Sequence, residues 1–353
     1  MQSKKRIVLI GSGLNGLSLA YTLSKLKIDV KILEASSRLG GRIQTVKGKM
    51  ETPLELGATW FSDLHQNLLL LLEELGLKKY PQFSKGKSLF QTNSFEPSQE
   101  FYVPESESPS YRIIGGTQKL IEKLSQHITN ASIHFSTKVS FIKEIENEIL
   151  IETTEGQKLH ADLVVVCIPP QLAASQIRFS PELPDNVSQI LPTVQTWMSG
   201  SIKFVLEYDK PFWRNDGYSG MLYSHSGIVT EMYDHSNFEE TKFGFTGFLN
   251  SGASSHSQKV REELVLQQLA QLFGNEMLNP ITYTDKIWTD EFVFRGTEVI
   301  QRPHQNNGHP LLQESYMKGK LFFSGTEIAT SFSGYMEGAI ISALKMADII
   351  KHH

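Results

Sequence analysis

The sequence predicts an α/β (α+β, two-domain) protein, with one domain on a parallel sheet and the other on a mixed sheet with helices. Three stretches carry that expectation. A short apolar run, "RIVLI" (6–10), meets a glycine turn and then a helix pattern. A second apolar run, "ADLVVVCIPP", returns far downstream, and 201–249 holds strands rich in Tyr, Phe and Trp. Continuous apolar runs suit strands covered on both faces, whereas alternation marks strands covered on one.

Taken in order, residues 6–10 read as a buried strand. "GLSLAYTLSKLKI" then sets Leu17, Ala20, Tyr21, Leu23 and Ser24 at helical spacing, and "DVKILEA" returns as a second strand, completing a βαβ unit. "LHQNLLLLLEELGL" is a Leu-rich helix stopped by Gly76 and too short to span a bilayer. Over 81–111 the composition shifts to Ser, Pro, Gln and Gly with scattered aromatics, which predicts short strands and loops with "PESESPS" as an exposed connector. The helix "GTQKLIEKLSQHI" opens at the Gly115-Gly116 turn. "IHFSTKVSFIKEIENEILIETTEG" reads as hairpin-like strands, and "QKVREELVLQQLAQLFG" as an amphipathic helix.

Composition excludes several function classes. A net charge of −4 over 353 residues gives no basic face for nucleic acid. The one cysteine, Cys167, rules out an internal disulfide and any multi-cysteine metal site, and no metal is expected. No run of 18 or more apolar residues occurs, and "MQSKKRIVLIGSG" lacks the long apolar stretch and cleavage site of a signal peptide. The expectation is a cytoplasmic protein without membrane contact, a monomer or homodimer.

Gly11-Ser12-Gly13-Leu14-Asn15-Gly16 follows a strand and opens a helix. In a Rossmann-like unit the first glycine permits the tight turn, the second lets backbone approach a pyrophosphate, and the third allows close helix packing. The helix N-terminus offers free N–H groups and positive dipole to the phosphates. Glu34, followed by Ala35, ends the second strand where a carboxylate meets ribose hydroxyls. Whether the dinucleotide is FAD or NAD turns on "ASSRLGGRIQTV". Arg38, Gly40, Gly41 and Arg42 add a second glycine turn and a guanidinium able to pair with phosphate.

This extended pattern resembles the flavoproteins of the glutathione-reductase type, and more narrowly the flavin amine oxidases, a family that includes monoamine and polyamine oxidases. Further stretches resemble that family in its own order. "LELGATWF" is similar to the segment where backbone turns under the flavin, matching at Gly57, Ala58, Thr59 and Trp60. Val139 corresponds to the residue that meets the adenine, while Cys167 and Pro169 fall near the dinucleotide. "SGSIKFVLEYDKPFW" resembles the stretch whose lysine, here Lys203, holds a water near flavin N5, and Trp288 in "IWTDEF" matches the tryptophan flanking that water. "FFSGTEIATSFSGYMEGAI" is close to a family signature. It implies Gly325, Thr326 and Glu327 beside the pyrophosphate and ribityl chain. It also implies Gly334, Met336 and Ala339 where the C-terminal helix points at the flavin's N1–C2=O edge, and Tyr335 as one wall of an aromatic cage. Oriented N–H groups there would favour the reduced flavin.

Alternation in "SIKFVLEY" groups Lys203 with Val205 and Glu207, and leaves open whether that face meets a cavity or solvent. In a cavity, burial would depress the lysine's pKa. The sequence departs from the family at three positions. Thr297 stands where monoamine oxidases attach flavin to cysteine, which implies non-covalent FAD. Glu298 stands at the second cage position, where it either contacts substrate or turns to solvent. Ser36 replaces a common basic residue at the adenosine end. The chain reaches His353 without the membrane-anchoring helix of the mitochondrial relatives, so a trimmed soluble enzyme is expected.

The resemblance thus implies an FAD domain over 1–79, 112–195 and 286–353, and a substrate domain over 80–111 and 196–285. The implied reaction takes hydride from an amine C–H to flavin N5, hydrolyses the imine, and reduces O2 to H2O2. Lys203, Trp288, Tyr335 and Glu298 are the implied catalytic groups, with a small-molecule amine and O2 as partners. Three alternatives stand beside it: a desaturase or porphyrinogen-type oxidase on the same fold, a non-catalytic FAD-stabilised binding protein, and a dehydrogenase using NAD alone.

Overall fold

The computed structural model describes residues 5–104, 109–289 and 302–353. Thr297 and Glu298 lie outside the described residues.

Strand Ile7–Ile10 pairs in parallel with Leu163–Val166 on one side and Val30–Leu33 on the other. Ala131–His134 and Leu321–Phe323 add parallel neighbours outward, and Ser315–Tyr316 closes the edge of this six-stranded sheet. The central runs are wholly buried because each face has its own cover. Ile7, Leu9, Ile32, Leu163 and Val165 pack on helices Leu14–Lys25, Gln118–His127 and Met336–His352. Val8, Ile10, Leu33, Val164 and Val166 pack on the opposite layer, which includes a four-stranded sheet. Each such side chain contributes about 1.5–3 kcal/mol by leaving water.

One sequence expectation is corrected here. "IHF" does not join the hairpin; Ala131–His134 is the edge strand beside Val30–Leu33, half-exposed in alternation, while Val139–Ile145 and Glu148–Thr153 form the hairpin. A polar-apolar alternation fits an edge strand and a hairpin strand equally well.

A seven-stranded sheet draws its strands from 87–102 and 202–287 and is backed by helix Gln258–Phe273. Its strand Thr282–Ile287 runs across the expected domain boundary at 285/286. The ribbon Thr45–Lys47 and Pro53–Glu55 presses against this sheet: Leu54, Leu56 and Val205 share a small core, and the Glu207 carboxylate accepts from the N–H groups of Met50 and Thr52. That contact brings the strand bearing Lys203 against the segment following residue 56.

Candidate active site

A cavity of about 1010 Å³ runs from the first glycine turn to the seven-stranded sheet. At its start, Gly11 adopts φ +106°, a conformation glycine reaches without strain, and a Cβ at Gly16 would stand 2.1 Å from Gly11 O. No atom lies within 4 Å of where a Cβ at Gly13 would be, so that backbone is open to a ligand. Helix Leu14–Lys25 begins with no side-chain cap and no acid in its first turn, leaving free N–H groups toward the cavity. Buried Asn15 ties its Nδ2 to Ser324 Oγ and Ala339 O, and its Oδ1 has no partner.

Glu34 accepts at 2.8 Å from the N–H groups of both Ser12 and Ser36. Ser36 thus fixes the carboxylate that a ribose diol would meet. The two arginines of the second glycine turn do different things. Arg38 donates to the carbonyls of Leu39, Ile43 and Gly41 and braces its own loop. Arg42 lines the cavity and forms a two-pronged pair with Glu327, at 2.6 and 3.1 Å.

The strand Ile202–Tyr208 is buried at every position, which settles the question alternation left open. Lys203 Nζ donates to Gly57 O at 2.8 Å and Thr59 Oγ1 at 2.6 Å. It lies 4.9 Å from the Trp60 ring centre and 5.5 Å from that of Phe248. Burial lowers its pKa to about 7, with buried Glu55 opposing and Arg112 adding to the shift. Trp288 donates its indole N–H to Leu56 O at 2.8 Å and completes this wall.

Tyr335 is the N-cap residue of Met336–His352, which likewise starts without a side-chain cap. The acid of its first turn, Glu337, faces elsewhere. It accepts from the N–H groups of Asn67 and Leu68 and caps helix Gln66–Glu74. Tyr335 stacks at 6.4 Å with Trp197 and at 6.3 Å with His304. Gly334 permits this, since a Cβ there would be 2.7 Å from Trp197 Cβ.

Of the residues singled out in the sequence, the cavity wall gathers Gly11, Ser12, Gly13, Glu34, Ala35, Gly41, Arg42, Gly57, Ala58, Thr59, Trp60, Val139, Cys167, Pro169, Lys203, Trp288, Gly325, Thr326, Glu327, Gly334, Tyr335, Met336 and Ala339. Gly16 and Arg38 stand behind it. The sequence reading missed Asn15, Trp197, Glu231, Tyr233 and Phe248, all of which line it. Only the pairing of strands brings the last three to Lys203's face, and no local pattern announces that pairing. Among the described residues no cluster of His, Cys, Asp or Glu could hold a metal, and no helix is long and apolar enough to cross a membrane.

Two uncapped helix N-termini, an open glycine turn and an orphaned amide oxygen fit an elongated, anionic dinucleotide. A buried lysine stands at the far end, as the resemblance to flavin-dependent oxidoreductases implies. The sequence profile described as flavin containing amine oxidoreductase matches residues 14–99 and 92–351, and the chain belongs to that family. It is 25% identical to a probable flavin-containing monoamine oxidase A of Dictyostelium discoideum, across 98% of this chain and 97% of that one. It is 23% identical to amine oxidase B of Sus scrofa, across all of this chain and 87% of that one. Among solved structures, a cyclohexylamine oxidase from Brevibacterium oxydans superposes with a TM-score of 0.85 at 21% identity, covering 99% of each chain. A putrescine oxidase bound to putrescine superposes at 0.84 and 20% identity, covering 99% of each chain.

The cofactor is FAD, held without a covalent bond. The single cysteine, Cys167, packs against Gly11 and Gly16 at the dinucleotide turn, and burial pushes its thiol far above the usual range.

Proposed function

We propose that the protein oxidises a small primary or secondary amine to its imine, which water converts to a carbonyl compound and an amine or ammonia, with O2 as the electron acceptor. The observation that carries this is the buried Lys203 facing an aromatic-walled chamber. When bound along the wall formed by Gly11, Gly13, Glu34 and Arg42, FAD would supply the two-electron chemistry, as hydride acceptor from the amine and as electron donor to O2, with H2O2 as the product.

The chain's own residues do the rest. With two of its N–H bonds given to Gly57 O and Thr59 Oγ1, neutral Lys203 retains its lone pair and can hold a water through that water's proton. That water is the one that attacks the imine carbon, losing a proton as it adds. Rings of Trp60, Phe248, Trp197 and Tyr335 present apolar faces that exclude other water and align a small amine. The free N–H groups of Met336–His352 favour negative charge at the facing end of the cofactor site. The named relatives, a putrescine oxidase and a cyclohexylamine oxidase, are consistent in substrate class.

For the rival reaction, a putative protoporphyrinogen oxidase from Exiguobacterium is similar with a TM-score of 0.78 at 15% identity, which speaks to the fold alone. An amine panel decides between them. Anaerobic bleaching of the yellow protein by an amine, with H2O2 released on admitting air, is the expected result. No bleaching by any amine, with oxidation of a polyene or porphyrinogen instead, overturns the proposal.

A further inference from the structure

Resting on the amine oxidation proposed above, we infer that Glu231 is a docking site for a second cationic group at the far end of the substrate. The preferred substrate is then an α,ω-diamine rather than a plain alkylamine.

Three carboxylates border the cavity among the described residues, Glu34, Glu231 and Glu327. Glu34 is held by Ser12 and Ser36, and Glu327 is paired with Arg42, both at the dinucleotide side. Among the described residues Glu231 has no basic partner. Its Oε2 accepts from Tyr233 Oη at 2.8 Å, and Tyr233 in turn bonds Tyr223 Oη at 2.8 Å. An ionised carboxylate only accepts, so Tyr233 donates to it and Tyr223 donates to Tyr233. That chain fixes one carboxylate oxygen and leaves Oε1 free for a ligand.

Placement ties Glu231 to the reacting end. Lys203 pairs with Phe248, Phe248 with Glu231, and Glu231 with Tyr223, so these residues occupy one row on one face of the sheet. Two strand spacings of about 4.8 Å set the backbones of Lys203 and Glu231 roughly 10 Å apart. Between them stand the rings of Phe248, Trp60 and Tyr233, with Trp60 and Tyr233 in edge contact at 4.9 Å. The chamber thus has a lysine at one end, an apolar aromatic span, and a lone acid at the other. This is the order of groups that matches an amine, a methylene chain and a second ammonium. Glu231 also borders a second cavity of about 600 Å³ lined by Phe90, Tyr223, His225 and Thr230, which gives room for substituents on the distal nitrogen.

The test uses FAD-loaded protein with pentylamine and the corresponding pentane-α,ω-diamine. The wild type is expected to favour the diamine in kcat/KM by about tenfold or more, expressed in KM, as for a charge-assisted hydrogen bond. Glu231→Gln is expected to raise KM for the diamine and erase the preference, and Glu231→Asp to keep part of it. A readout independent of turnover is the thermal shift given by a bis-trimethylammonium pentane, expected for the wild type and absent from Glu231→Gln. A wild type without preference, a preference that survives Glu231→Gln, or one lost only in Glu298→Gln overturns the inference. Failure of both amines to bleach the flavin overturns the proposed reaction instead, and the dication shift then still decides whether Glu231 is a cation site.

Discussion

Lys203 and Thr59 are joined by a 2.6 Å hydrogen bond across 144 residues of sequence. The bond links the seven-stranded sheet to the backbone turn that borders the dinucleotide site. It fixes the amine nitrogen without a charged partner, so replacing the lysine removes a chemical group while leaving the turn's Gly57 and Trp60 in place. Lys203→Met is expected to remain yellow yet turn over about a hundredfold more slowly, the scale of losing one proton-handling group. Loss of flavin with an unchanged residual rate would contradict the assigned role. Flavin content and stopped-flow reoxidation measure the two separately.

The same lysine sets a pH dependence. Its proton leaves near pH 7 in the fold but near 10.5 when the chain is unfolded. Between those values the unfolded state binds more protons, so stability rises with pH. Below about pH 7 the full cost of burying the charge remains, and above about 10.5 it is gone. The wild-type apoprotein should therefore gain on Lys203→Met across that window, by at most about 1.4 kcal/mol per pH unit. Urea titrations of both proteins at several pH values give the slope, and a flat difference would refute it.

Gly16→Ala forces a methyl to within 2.1 Å of the Gly11 carbonyl. The turn has to open for the helix to keep its place, at a cost of about 1–3 kcal/mol. The expected product is folded, colourless protein whose FAD affinity has dropped at least tenfold, read by equilibrium dialysis.

Arg42→Ala leaves Glu327, only 1% exposed, as an unpaired buried carboxylate. Removing one partner of a buried pair destabilises by about 3–5 kcal/mol, and the exposure of Arg42 argues for the lower end. Saturating FAD should recover little of that loss if the guanidinium also binds the cofactor. Thermal melts with and without FAD test this; full recovery by FAD would count against a cofactor role for Arg42.

Glu337→Ala takes away the acceptor for the first N–H groups of Gln66–Glu74. A cap of this kind is worth about 1–2 kcal/mol. Faster amide exchange confined to the start of that helix is the expected signature.

How far the sequence spoke depended on the kind of signal. The first glycine turn and Glu34 were legible because their spacing is dictated by backbone geometry along one short segment. Lys203 was legible by resemblance, yet its burial was not, because alternation cannot distinguish a covered face from a wet one. Trp197 and Glu231 carried no signal at all. Their place in the chamber depends on which strand lies beside which and on Gly334 admitting an indole, and those are facts of three-dimensional pairing. The misread strand Ala131–His134 failed for the same reason, since a short alternating run does not declare its neighbour.

The insertion of Leu321–Phe323 beside Leu163–Val166, with the residues that follow it, has a consequence for biosynthesis. In a growing polypeptide the phosphate turn leaves the ribosome long before the opposite rim of the chamber, which residues 325–339 supply. FAD capture has to wait until the segment through Ala339 has cleared the exit tunnel, so colour reports that this rim has been made. Prematurely terminated products lacking that rim would accumulate without flavin and become early targets for proteolysis.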